Sequence, residues 1–392
     1  MKKILSIISL LFLLYKPPIF SQTEPDTLVY LLTCGPGTDT YSIYGHSALR
    51  IVIPSKNSDI VYNWGVFDFD TPNFAWKFAK GRLDYMLGAA SLERFLQGYL
   101  FEQRFVYSQR INLSPLESQK LLFLINENLK PENVSYRYDF FYDDCSTRIR
   151  DLLEESIGGK LLYPPAETGK SPTFRDMLGK YQNPYPWLRF GVDLIMGSPG
   201  DKQALYRDRM FLPIDLQNEL VEARINRDSK MIPLLRNIEV LLDFNLPSVK
   251  QNIFTSPVFI FTLLLIIIVI LSALLKSMKS NRLIDIIIFS VFSILALLMI
   301  FFNFFTDHVQ MKWNLNIIWL NPLLLVALIY LIFNKSGLFL FRSLFVISSA
   351  FLVLCLILPQ DFNGAITPLV FIIILRCSVR SGYEWNPLSL HD

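Results

Sequence analysis

From Ile253 onward the chain is a succession of apolar runs: "IFTSPVFIFTLLLIIIVILSALL", "LIDIIIFSVFSILALLMIFFNFF", "LNIIWLNPLLLVALIYLIF", "LFLFRSLFVISSAFLVLCLIL" and the shorter "AITPLVFIIIL". A bilayer span needs roughly 20 consecutive apolar residues, and hydrocarbon offers the backbone no hydrogen-bond partner, so runs of this length are confined to helices. The composition agrees: of 392 residues, 52% are hydrophobic and only 18% charged, too apolar for an ordinary soluble protein. A net charge of +3 gives no reason to expect nucleic acid as a partner. The chain is expected to end in a helical membrane domain of about five helices.

The basic residues between the runs orient this domain. Lys276, Lys279, Arg282, Lys335, Arg342, Arg376 and Arg380 fall in or beside alternate connections, whereas the other connections, "TDHVQMKWN" and "PQDFNG", hold only Lys312. The positive-inside rule places the first set in the cytoplasm and residues 22 to about 250 on the opposite side. The opening "MKKILSIISLLFLLYKPPIFSQTEP" points the same way. Two lysines, an apolar run too short to span and a small residue at Ser21 read as a secretory signal peptide, with an uncleaved anchor as the alternative. The expected organisation is a signal peptide over 1–21, an exported domain over 22–250, a multi-pass domain over 251–380 and a cytoplasmic tail over 381–392.

The exported part is long enough to bury a core without staples. "TLVYLLTC", "GHSALRIVI" and "DIVYNWGVFDF" read as strands separated by "GPG" and by "PSKNSD". "SPLESQKLLFLINENLK" reads as a helix with Ser114 as N-cap, Pro115 at the first position and Glu117 closing a capping box. A second helix follows in "YDDCSTRIRDLLEE", with Ile149, Leu152 and Leu153 on one face and a stop at Gly158 and Gly159. From 160 to 250, rich in prolines and aromatics and centred on "FGVDLIMGSPGD", the reading is irregular α-helical structure that caps the domain or bridges it to the membrane.

Cys145 stands at the start of that second helix. Unpaired N–H groups, the helix dipole and Arg148 one turn on all favour a thiolate, the nucleophilic form; adjacent Asp143 and Asp144 oppose it. A nucleophile needs a base, and of three histidines only His46 lies in the exported part, on a candidate strand. A third residue would orient the imidazole; Asn63 on the next strand is preferred over Asp68 and Asp70. A Cys34–Cys145 disulfide is the competing reading in an oxidising compartment. One histidine and two isolated cysteines supply no metal cluster, and no cofactor is expected.

The segments "LLTCGPGTDTYSIYGHSALRI", "YNWGVFDFDTPNF", "YDDCSTRIRDLL" and "FGVDLIMGSPGD" resemble, in order, motifs of the Lnb-type lipoprotein N-acyltransferases. The histidine-before-cysteine order also resembles the permuted papain-like fold of NlpC/P60 and lecithin–retinol acyltransferase relatives. Asp144 stands where the pattern more often has asparagine. The resemblance implies an α+β permuted papain-like exported domain with a Cys145–His46 pair. It also implies transfer of an acyl chain from a phospholipid, through a thioester, to the α-amino group of a lipoprotein's lipidated N-terminal cysteine. Arg148 is expected at the substrate, as is His308 in the exported membrane-level loop, together with Asn314 or Asn316. A cell-wall amidase or peptidase of the NlpC/P60 type is the alternative, and a disulfide-bonded module without catalysis is a third.

Overall fold

The computed structural model describes residues 26–165, 169, 171–275 and 278–381. The expected signal peptide, Lys276 in the first cytoplasmic connection and the tail beyond Ser381 lie outside these residues.

The expected strands form. β1 (Leu28–Cys34), β2 (His46–Ile53) and β3 (Ser58–Val66) pair as antiparallel neighbours, with Leu31 opposite Leu49 and Leu49 opposite Tyr62. The chain continues through α1 (Phe74–Ala79), β4 (Asp84–Ser91), α2 (Leu92–Phe101), β5 (Val106–Ile111), α3 (Pro115–Asn128), β6 (Ser135–Arg137) and α4 (Cys145–Ile157). The two helices read from the sequence are both present. Ser114 and Glu117 close the capping box of α3, and Gly158, at φ 69, terminates α4.

The stretch from 160 to 250 departs from the expected irregular α-helical structure, because it also holds strands. It holds β7 (Leu161–Leu162), α5 (Phe174–Gln182), α6 (Pro186–Ile195), α7 (Tyr206–Arg209), α8 (Pro213–Glu222), β8 (Arg224–Arg227), β9 (Lys230–Pro233) and β10 (Leu235–Leu242). β7, β8 and β9 make a small sheet, and β10 returns to the main one, whose order is β10-β5-β1-β2-β3-β4-β6. β10 escapes a pattern search because "LRNIEVLL" is exposed over most of its length, so burial imposes no alternation on it.

α3, α4 and α8 cover one face of the main sheet, where Leu121, Ile125, Ile149, Leu153 and Leu216 bury against Val29, Leu31, Leu49, Ile51 and Trp64. α2 covers the other face near the Cys34 end through Phe95, against Leu32, Ala48 and Val61. A third cluster, built from Phe141, Phe174, Met177, Met196 and Phe211, joins α5 and α6 to the turn before α4.

The C-terminal region is helical: α9 (Pro257–Leu274), α10 (Met278–Phe304), α11 (Leu323–Ile332), α12 (Leu338–Leu354) and α13 (Ile366–Arg380). Three stretches, Pro257–Leu274, Lys279–Phe304 and Leu315–Ile332, are long and apolar enough to cross a membrane. α12 is a 17-residue apolar helix, and the 15-residue α13 is mostly buried. Arg376 of α13 and Asp285 of α10 are both fully buried and bonded at 2.6 Å, with Ser272 of α9 accepting from the same guanidinium at 2.5 Å. A charge in this setting is tolerable only when paired, so the pair ties three helices together.

The two regions dock through polar contacts. Arg175 bridges Asp193 and Asp201, and Asn363 of the membrane region donates to Asp193 at 2.9 Å. Asn314 and Asn316 both donate to the carbonyl of Leu194, at 2.8 and 3.0 Å. The "FGVDLIMGSPGD" segment is therefore the bridge to the membrane region.

Candidate functional site

Cys145 is the first residue of α4, and its placement is fixed by the turns that precede it. Asp144, the N-cap, accepts from the amides of Ser146 and Thr147 at 2.9 and 2.8 Å, while Thr147 Oγ1 accepts from the Asp144 amide at 2.7 Å. This reciprocal box satisfies first-turn donors that would otherwise stay unpaired in a buried helix start. One step earlier, Asp139 and Asp143 exchange backbone bonds, and Asp139 Oδ1 accepts from the amides of Phe141 and Tyr142.

His46 opens β2, after Gly45. Glycine is required there: φ is +82, and a Cβ would lie 2.7 Å from the Cys34 carbonyl oxygen. The imidazole Nε2–H donates to Asn63 Oδ1. Because an amide oxygen only accepts, the bond assigns the proton to Nε2 and leaves Nδ1 as the basic nitrogen.

Both residues face one cavity of about 650 Å³. Phe67, Tyr85, Tyr138, Phe140 and Phe211 make much of its wall, and Val192 and Ile195 of α6 add to it. The membrane region adds His308, Gln310 and Met311, in the connection after α10. His308 Nε2 bonds the Phe78 carbonyl at 3.0 Å, and Arg82 pairs with Asp307 at 2.7 Å. On the other flank Gln310 donates to Asp139 Oδ1 at 2.5 Å, reaching the turn that leads into Cys145.

Burial governs the electrostatics. It lowers the His46 pKa to about 4, with the Asn63 bond opposing this and Arg104 adding to it. It pushes the Cys145 thiol up, against the stabilising backbone amides of Ser47 and Ser146. The thiolate expected from the helix terminus and Arg148 is thus not the resting form. Arg148 is bonded to Asp143 at 2.5 and 2.9 Å and lies 3.5 Å from the centroid of the Tyr136 ring. Its charge is answered locally, and desolvation of the sulfur dominates.

The structure therefore brings Cys145, His46 and His308 to one cavity, with Asn63 bonded behind the histidine. Arg148 is not among the residues that line it. Asn314 and Asn316 do reach the exported segment, but their amides are taken by Leu194. Asp68 and Asp70 are exposed, and Asp68 accepts from the Asp70 amide. Cys34 is a separate buried thiol, with its pKa raised to about 12 by burial. Among the described residues no group of three or more His, Cys, Asp and Glu is placed to hold a metal. Sequence reasoning missed the fully buried Ser47–Ser146 contact at 3.2 Å, which joins β2 to α4, and the role of Gln310. The serine after His46 and the serine after Cys145 carried a signal for the first; nothing local marks the second.

Fold and site together define a membrane protein whose α+β domain, outside the cytoplasm, presents a cysteine and a histidine to a cavity closed by its own membrane helices' connection. Residues 15–175 match the family model of the Lnb N-terminal periplasmic domain, and residues 249–383 match that of the Lnb transmembrane domain. The chain belongs to the Lnb family: the N-terminal domain is periplasmic and is followed by multiple transmembrane helices. No curated protein and no solved structure matches it. His46, Asn63 and Cys145 fall within the first match and His308 within the second, while 176–248 lies between them.

Proposed function

We propose that this protein is a lipoprotein N-acyltransferase in which Cys145 carries the acyl chain between two lipid substrates. The observation that carries the reading is the shared cavity: thiol and imidazole open into a largely apolar space, rich in aromatic side chains, that a membrane connection helps to wall. A hydrophilic cell-wall peptide has little use for such walls, whereas a phospholipid and a lipidated protein terminus both lie at that level. The strand histidine, the helix-start cysteine and the antiparallel sheet also favour a permuted papain-like arrangement.

In the reaction, His46 Nδ1 takes the Cys145 proton as the sulfur attacks the ester carbonyl of a phospholipid. The tetrahedral intermediate collapses to a thioester, and the lysophospholipid alkoxide leaves with the proton held by His46. The α-amine of a diacylated lipoprotein then attacks the thioester. His46 removes the amine's proton and returns it to the departing sulfur. The amide of Cys145 itself is the donor we assign to the oxyanion, because Asp144 occupies those of Ser146 and Thr147. Asn63 holds the imidazole tautomer. His308, its Nε2 engaged by Phe78, presents its ring to the cavity and shapes the substrate's seat.

The test is intact-mass analysis of protein reconstituted with phospholipid and no lipoprotein. An acyl adduct on Cys145 that discharges when diacylated lipoprotein is added supports the relay. Cells that lack the protein yet keep N-acylated lipoproteins, with altered wall peptides, would establish the amidase reading instead.

A further inference from the structure

A patch of large aromatic side chains on α1 and its approach lies outside the core, and its members Phe69 and Trp76 do not line the cavity. Phe69 is 68% exposed, Trp76 56% and Phe78 53%, all within ten residues of chain. They are organised rather than scattered. Phe67 and Phe69 meet edge to face at 4.8 Å, Phe69 meets Phe74 at 5.2 Å, and Phe74 stacks on Phe78 at 6.2 Å. Asp68 and Asp70 are interleaved with Phe67 and Phe69 in a turn beyond β3, where Asp68 accepts from the Asp70 amide. An apolar patch of this kind on a water-facing domain marks an interaction surface.

Its position identifies the partner. Trp76 lies 5.5 Å from Phe301, three residues before the end of the membrane helix α10. At 1.5 Å per residue Phe301 is within about 5 Å of that helix end, at the depth of the membrane–water boundary. The level is pinned by backbone contacts: the Asp307 amide donates to the Lys80 carbonyl at 2.8 Å, and His308 holds the Phe78 carbonyl. Lys80 places its ammonium 5.0 Å above the Trp76 ring, a basic group beside the aromatic one as at other interfacial anchors.

We infer that α1 and the preceding Phe67–Phe74 segment lie in the periplasmic leaflet, with Phe69 and Trp76 seated among lipid headgroups and upper acyl chains. The exported domain is then a monotopic element in its own right, and Phe78 belongs both to this patch and to the cavity lining. The inference rests on the transmembrane assignment of α10 and not on the acyl-transfer reading.

Phe69 and Trp76 do not line the cavity, so contact at these positions reports the bilayer and not a bound substrate. The experiment places the photoreactive p-benzoylphenylalanine singly at Phe69, at Trp76 and, as a reference, at exposed Phe123 on α3, in the full chain. Each variant is purified, confirmed as folded by its thermal transition, reconstituted into phosphatidylethanolamine–phosphatidylglycerol vesicles and irradiated, then mapped by peptide mass spectrometry; the same variants are irradiated in native membranes. Lipid adducts at 69 and 76 and none above background at 123 are expected. Absence of lipid adducts at 69 in folded protein overturns the inference, as does a protein adduct there in native membranes. Either result leaves the acyl-transfer reading untouched.

Discussion

His46 and Asn63 are joined across β2 and β3 by a single hydrogen bond, from the imidazole Nε2–H to the amide oxygen. Leu49 is opposite Tyr62, and extending that register puts Asn63 opposite Ala48, two residues along from His46 and on its face. The bond sets which nitrogen is basic. Asn63→Ala is expected to lower the rate of acyl loading by about 10- to 100-fold, part of the 10²–10⁴ that a positioned base supplies. Asn63→Asp keeps the acceptor and adds a charge that favours imidazolium, so it should retain more activity and move the acid limb of the pH profile upward. Equal losses in both variants would show that the bond only supports packing.

The pH dependence follows from burial. His46 must be neutral to accept a proton, and its pKa is held near 4, below the ordinary 6.5. Loading should therefore persist as pH falls through 6.5 and be lost only near 4. The same shift destabilises the fold in acid: the unfolded chain takes up the proton at 6.5 and the folded one only near 4, so stability falls between those values. His46→Gln should remove that part of the slope in thermal unfolding.

Cys145 is expected to be slow to alkylate at neutral pH. Its pKa is raised by burial, so the thiol stays protonated there, and labelling by iodoacetamide should accelerate as pH rises above the usual thiol range. His46→Ala should leave this profile nearly unchanged, because the resting pair is neutral. Rapid labelling at pH 6 that depends on His46 would instead reveal a thiolate–imidazolium pair.

Inside the membrane region, the Arg376–Asp285 pair is fully buried. Asp285 also pairs with Arg380, so Asp285→Ala leaves two guanidinia without their carboxylate, and removal of one partner of such a buried pair costs about 3–5 kcal/mol. The triple variant Asp285→Leu, Arg376→Leu, Arg380→Leu, which strands no charge of this cluster, should recover much of that loss in thermal unfolding of the solubilised protein. No recovery would mean that the charges do more than hold helices together.

Much of this was legible from local chemistry. The strands β1, β2 and β3 declare themselves as β-branched and apolar runs between breaker and polar segments, α3 by its capping box, and the membrane helices by length and charge bias. Cys145 and His46 stand out in the sequence because one is at a helix start and the other is the lone exported histidine, and both line the cavity. What the sequence hid depends on burial and on distant partners. The effect of Arg148 on the thiol could be judged only once Asp143 and Tyr136 were seen to hold it. β10 lacked a pattern because it lies exposed, and the clasp of Gln310 on Asp139 spans residues far apart in the chain.

That clasp rests on Gly197. A Cβ there would lie 1.8 Å from the Lys312 carbonyl oxygen and 3.0 Å from the Asn314 amide, both backbone atoms that cannot turn aside. The Gly197 amide also donates to the Gln310 carbonyl at 2.9 Å, so bridge segment and membrane connection are laid against each other at this residue. Gly197→Ala must push the 308–314 connection away, and with it the Gln310 side chain that bonds Asp139. The turn before Cys145 and the cavity wall at His308 then lose their support together. We expect acyl loading to fall at least about tenfold, the loss of one hydrogen bond to a charged group being worth about 1.5–3 kcal/mol. Gln310→Ala removes that bond without the clash and should reproduce part of the defect, while Gln310→Glu, which sets a second carboxylate against Asp139, should be worse than alanine. Limited proteolysis distinguishes undocking from unfolding: new cleavage confined to the 306–314 connection is the expected pattern for Gly197→Ala. Wild-type loading in both Gly197→Ala and Gln310→Glu would show that the membrane region anchors the site without shaping it.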